Sequence, residues 1–134
     1  MPSILNRTTQ PVINPPGRID FPNPEIYQLR NGIKVYQFNS GSQDVISIEM
    51  VFAAGSWFQK KPFTAMATNL MLREGTRNYS AQKVSELLDY YGAHFENTTE
   101  RDNAYVSLYS LNKHLTHTLP LLGEIVNCLL YTSR

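Results

Sequence analysis

The sequence predicts an α+β domain, a mostly antiparallel sheet with helices packed on one face, and three observations lead there. In VISIEMVF, residues 45–52, Ile46, Ile48, Met50 and Phe52 alternate with Val45, Ser47, Glu49 and Val51, the period of two of a strand with one buried face. Asn31-Gly32 separates two β-rich runs, the strongest short signal for a hairpin. Residues 80–92 carry a helical stripe between a Ser cap and a closing Gly. The element order, ββ(β)ααββα, has no Gly-rich strand-to-helix turn and no strict alternation of strand and helix, so a doubly wound parallel sheet is disfavoured.

Residues 1–24 hold six of the eight prolines, a density that forbids regular helix and predicts an extended arm ahead of the folded body at 25–127. IYQLR and IKVYQF form the hairpin around Asn31-Gly32. Gly41 to Asp44 turns into the strand at 45–52, which Ala53-Ala54-Gly55-Ser56 ends. Pro62 suits a helix N-terminus, and Phe63, Met66, Ala67, Leu70 and Met71 recur at helical spacing, which predicts a packed apolar face. Glu74-Gly75-Thr76 stops that helix. In the next, capped by Ser80 and closed by Gly92, the stripe is Val84, Leu87, Leu88 and Tyr91. Two strands follow around Glu100-Arg101-Asp102, with Ala104, Val106 and Leu108 on one face of the second and Tyr105, Ser107 and Tyr109 on the other. A last helix is expected from about Lys113 to Asn127, interrupted or kinked at Pro120.

At 42% hydrophobic, 17% charged and a net charge of +1, the 134 residues describe an ordinary globular protein. Lys and Arg scattered among Asp and Glu offer no electrostatic reason to expect nucleic acid or a membrane as partner. The start lacks the pattern of a secretory signal and no apolar run is long enough to span a bilayer, so a cytoplasmic location is expected. Sequons at Asn6, Asn78 and Asn97 are then chance matches. Cys128 is the only cysteine, which excludes an intrachain disulfide.

Candidate chemistry is sparse. His114 and His117 stand at i and i+3, but zinc needs a third protein ligand, and no carboxylate or further His has suitable spacing. His94 and Glu96 alternate along a strand and share a face. No Ser or Thr sits in a nucleophile elbow, and Cys128 has no identifiable activating partner. Glu74, Glu86, Asp89, Glu96 and Glu100 are accounted for by helix surfaces and turns. The residues by themselves specify a fold and no active site.

The ordered series LRNGIKVYQF, a strand ending AAGS, a helix ending EGT, the run YYGAHFENTTERDNAYVSL and a helix beginning NKHL resembles the N-terminal portion of the pitrilysin/insulinase family of zinc metallopeptidases, over about residues 28–127. In active members the helix before the Gly-Thr pair carries His-x-x-Glu-His, whose imidazoles bind zinc and whose Glu is the general base. Counted back from Gly75-Thr76, those three positions fall on Met66, Asn69 and Leu70. A thioether, an amide and an alkyl group supply neither ligand set nor base, and the helix contains no His. The resemblance further implies that Phe95, Glu96, Asn97, Thr98 and Thr99 form an edge strand onto which a peptide adds main chain to main chain, with Glu96 and Asn97 standing where the family has Asn and Ala.

The family also contains pairs in which one subunit holds the zinc motif and a second, lacking it, closes the chamber around the peptide. The resemblance therefore implies the first part of a non-catalytic subunit in a heterodimer, inactive alone, with no cofactor of its own and zinc only in a motif-bearing partner. The alternatives are a purely structural scaffold subunit, or an enzyme using an unidentified metal site. The ending CLLYTSR leaves the helical pattern, and CLLYTS is the translation of a transposase sequencing adapter, TGTCTCTTATACACATCT. Residues 128–134 are accordingly expected to be foreign to the gene, and the chain to be a fragment of the domain.

Overall fold

A computed structural model describes Gln10, residues 13–17 and residues 21–128. Most of the expected arm, and residues 129–134 of the expected foreign tail, lie outside the described residues; Gln10, 13–17 and 21–24 adopt neither helix nor strand. Contacts divide the chain into two units, Met1–Ser42 and Gln43–Arg134.

The first unit contains an antiparallel hairpin of β1, Glu25–Gln28, and β2, Lys34–Gln37, with Ile26 opposite Tyr36 and Gln28 opposite Lys34. Its loop is longer by one residue than the Asn-Gly pair alone requires. The Leu29 N–H donates to the Ile33 carbonyl at 2.8 Å, leaving Arg30, Asn31 and Gly32 in the loop. Gly32 has φ 87°, the left-handed position that closes such a three-residue loop, and the Asn31 side chain accepts the Ile33 N–H at 3.2 Å. The Tyr27 hydroxyl donates to the Glu25 carboxylate on the exposed surface.

The second unit is a three-stranded antiparallel sheet with helices on one face. β3, Val45–Phe52, and β4, His94–Thr99, flank β5, Ala104–Leu111, in the order β3-β5-β4. Ile46, Ile48 and Met50 are half-buried while Val45, Ser47, Glu49 and Val51 are exposed, the alternation expected for one covered face, although Phe52, expected on the covered face, is exposed at the strand end. Opposite them Leu108 and Val106 of β5 are buried, as are Leu121, Leu122 and Ile125 of α3, Leu115–Cys128; with Leu72, Val84 and Phe95 they form one core. Helix α3 runs unbroken through Pro120, contrary to the expected interruption. The three buried apolar side chains beyond the proline hold the helix on the sheet and outweigh the missing hydrogen bond.

Helix α2, Ala81–Tyr91, starts and stops as its caps require. Ser80 Oγ accepts the Lys83 N–H at 3.2 Å, and Gly92 turns left-handed with its N–H on the Asp89 carbonyl at 3.0 Å. Helix α1, Thr64–Leu70, differs from expectation in its packing. Phe63, Met66, Leu70 and Met71 are all exposed, Phe63 at 72%, and the residue of α1 that is buried is Asn69. Its first turn is also unconventional: Phe63 has φ 66°, and the Gln59 side chain accepts the Ala65 N–H at 3.2 Å.

Two glycines hold the loops that frame these helices. A Cβ on Gly55 would come within 2.4 Å of the Arg101 carbonyl oxygen, so only glycine lets the Ala53–Ser56 turn lie on the β4-β5 loop. There the N–H groups of Gly55, Ser56 and Trp57 donate to Asp102, Glu100 and Arg101, and the Arg101 guanidinium covers the Trp57 ring at 4.8 Å. Gly75, φ 122°, permits the bridge to Ser80, and Thr76 Oγ1 donates to Glu124 of α3 at 3.1 Å.

Candidate functional site

The three positions singled out on α1 do not act as a unit. Met66 and Leu70, four residues apart, share an exposed face at 49% and 55% exposure. Asn69 points the other way and is 6% exposed. Its Nδ2 donates to Thr99 Oγ1 at 2.9 Å, and its main-chain carbonyl accepts from Asn97 Nδ2. Asn69 thus ties the end of α1 to β4 with two polar bonds: one satisfies its buried amide, and the other adds Asn97 to a carbonyl that also takes the Met71 N–H. The donor set does not fit zinc: a thioether, a side-chain amide engaged elsewhere and an alkyl group include no imidazole, carboxylate or thiolate.

Phe95, Glu96, Asn97, Thr98 and Thr99 lie together on β4, an outer strand of its sheet. Phe95 is buried and Asn97 and Thr99 are half-buried against the helix side, whereas His94, Glu96 and Thr98 are exposed on the other face, as the alternation of a strand demands. The hydrogen-bonding parity of the edge follows from two contacts. Glu100 donates its N–H to Asn103 across the turn, so the even-numbered residues of β4 face β5. The Phe95 carbonyl instead accepts from Arg73 Nη2 at 2.5 Å, so the odd-numbered residues face outward. The outward row therefore consists of the main-chain groups of Phe95, Asn97 and Thr99.

Arg73 is the residue that sequence reasoning missed. It stands in a short 3-10 turn after α1, Met71–Arg73, with its guanidinium 5.5 Å from the Phe95 ring centroid. The only signal was a cation closing an otherwise apolar run. Beside it a cleft of about 270 Å³ opens between α2 and the start of β4, with Val84, Leu88, Ala93 and Ile125 among its walls. Against α1 itself a larger apolar cleft of about 390 Å³ reaches Phe52, Phe58, Ala65, Thr68 and Leu72.

His114 and His117 do not converge with a carboxylate. They flank Tyr91 of α2: the His117 ring stacks on it at 5.0 Å and 3°, and the His114 ring lies 5.4 Å away. Among the described residues no group of three or more His, Cys, Asp or Glu stands close enough to share a metal. Among the same residues no helix is long and apolar enough to cross a membrane.

Comparison with known proteins gives concordant results. The sequence model described as Insulinase (Peptidase family M16) matches residues 34–133. A protein of Rickettsia felis described as an uncharacterized zinc protease is 24% identical over 106 residues, 78% of this chain and 26% of the relative. A crystal structure titled peptidase M16 inactive domain, from Pseudomonas fluorescens, superposes with a TM-score of 0.74 at 29% identity, again over 78% of this chain and 26% of that one. The chain thus spans about a quarter of the length of both.

Proposed function

The chain belongs to the insulinase family, peptidase family M16, and on that premise we propose that it is the first part of a non-catalytic subunit that completes the peptide-binding chamber of a motif-bearing partner. The observation that carries this reading is the fate of the three motif positions. Met66 and Leu70 expose apolar groups at the places where imidazoles would be needed, and Asn69 is spent on holding α1 to β4. Chemistry has been replaced by surface and by structure.

A role in binding peptide is supported by the edge of β4. An outer strand with outward main-chain groups at Asn97 and Thr99 can receive an extended chain by backbone pairing, which needs no particular side chain from the peptide. The apolar face of Met66 and Leu70 on the neighbouring helix suits the wall of a chamber or a subunit contact. The likeness to a domain titled inactive supports the absence of turnover without specifying a partner.

Mixing the full-length protein with a His-x-x-Glu-His subunit tests the proposal. Peptide cleavage by the mixture should exceed that of the partner alone, and the protein alone should cleave nothing. Zinc-dependent cleavage by this protein alone overturns the reading. Stable association that leaves turnover unchanged assigns it instead to a scaffold.

A further inference from the structure

The outward edge of β4 carries a fixed charge at its Phe95 end. Arg73 donates one N–H to the Phe95 carbonyl at 2.5 Å and is steadied by the Phe95 ring at 5.5 Å. Among the described residues no carboxylate pairs with it. A guanidinium has five N–H donors in a planar fork, so most of its capacity is unused. The carbonyl it occupies is one that an added strand would otherwise pair with, so the usable edge ends there.

Direction then decides what meets the guanidinium. Every strand pair in this sheet is antiparallel, the more stable pairing. A peptide added to β4 in the same sense runs from Thr99 toward Phe95, and its C-terminal end arrives at Arg73. Beyond it lies the cleft walled by Val84, Leu88, Ala93 and Ile125, with Asp89 and His94 also on its lining. Asp89 is the one carboxylate on that lining, and it makes no ion pair with Arg73.

We propose that Arg73 and the β4 edge form a docking site for an extended peptide bearing a carboxylate where the strand ends, supplied by the C-terminus or by an Asp or Glu side chain. Arg73 keeps its bond to Phe95 and turns its remaining donors to the carboxylate in a charge-assisted contact. Asn97 and Thr99 pair with the peptide main chain, and the last apolar side chain enters the cleft. This rests on the reading of β4 as a peptide-accepting edge and adds to it a direction, an end and a charge.

Fluorescence anisotropy on the full chain tests both layers. The probes are short β-rich peptides labelled with fluorescein at the N-terminus: one with a free C-terminal carboxylate, its C-terminal amide, and the amide with Glu as last residue. Against wild type the carboxylate-bearing probes should bind about tenfold tighter than the plain amide, the increment of a charge-assisted contact. In Arg73→Gln that difference should vanish, and in Arg73→Lys it should return in part and fade with added salt. A gain confined to the free acid identifies the C-terminus as the source, and one confined to the Glu probe the side chain. Equal binding of all the probes to wild type overturns the carboxylate site while leaving the edge reading intact. No binding of any probe to protein shown folded by circular dichroism overturns the edge reading and this inference with it. Because probe is compared with probe on wild type, the test survives a variant that fails to fold.

Discussion

At the scale of single residues, polar bonds across long sequence separations decide what the site is. That position 69 is not Glu is legible from the sequence; that its amide reaches Thr99 and its carbonyl Asn97 is not, because these partners lie 30 and 28 residues away and no local pattern announces them. The same holds for Arg73, whose acceptor is 22 residues distant. Asn69→Ala removes the bond to Thr99 and leaves a partly buried hydroxyl unmet, which should cost about 1–2 kcal/mol in urea unfolding. Asn97→Ala should cost less, about 1 kcal/mol, because the Asn69 carbonyl keeps the Met71 N–H. In the hairpin, the hydrogen bond from Tyr27 to Glu25 holds the phenol proton on and raises its pKa above the ordinary 10.0, with the carboxylate charge adding to the effect. The folded form then binds that proton more tightly than the unfolded one, so its small contribution to stability is present below the unfolded pKa and lost as pH rises through the folded one. The phenolate absorbance titration, taken as the difference between wild type and Tyr27→Phe, should move back toward lower pH when Glu25→Gln is introduced.

At the scale of elements, caps and strand alternation were legible because their causes are local. Ser80, Gly92 and the face of Ala104, Val106 and Leu108 stand as the sequence indicates. Helix α1 was only half legible: periodicity tells which side chains share a face, but not whether another element covers it. Phe63, Met66 and Leu70 share theirs with solvent. Met66 and Leu70 thus stand at i,i+4 on one open face with no metal-binding group between them. Met66→His with Leu70→His should therefore create an i,i+4 imidazole pair that binds zinc, seen as a rise of a few degrees in Tm on adding zinc, absent in wild type and abolished by a chelator. No zinc response in a folded double variant would show that α1 does not hold these two positions on one open face. Pro120 is the converse case, a local rule overridden by three buried side chains beyond it in α3.

At the scale of the whole molecule, the sheet has two outer strands, β3 and β4, and large apolar side chains such as Val45, Val51, Trp57 and Phe58 stand exposed. Open edges and exposed apolar surface favour pairing with another chain. The isolated protein should accordingly self-associate, with light-scattering mass rising with concentration. Val51→Lys on the exposed face beside one edge should reduce that rise, since a charge at an edge strand opposes edge-to-edge pairing. A concentration-independent monomer for wild type would show these edges to be protected. None of this was legible in the hydrophobic content, which is ordinary; it depends on which strand ends up outermost, a property of topology rather than composition.

The opposite orientations of Met66, Asn69 and Leu70 also bear on how such a protein changes over generations. The two solvent-facing positions are tolerant, and substitutions there alter little but the surface. Position 69 is coupled through its side chain to Thr99 on another element, a contact made by an amide donor. A carboxylate introduced there would be a buried charge with the Thr99 hydroxyl as its one side-chain donor. On the proposed non-catalytic reading, imidazoles at 66 and 70 lie one surface substitution each away, whereas a base at 69 would need compensating changes on β4. On that reading a return to catalysis is held back chiefly at one buried asparagine, the pawl of a ratchet.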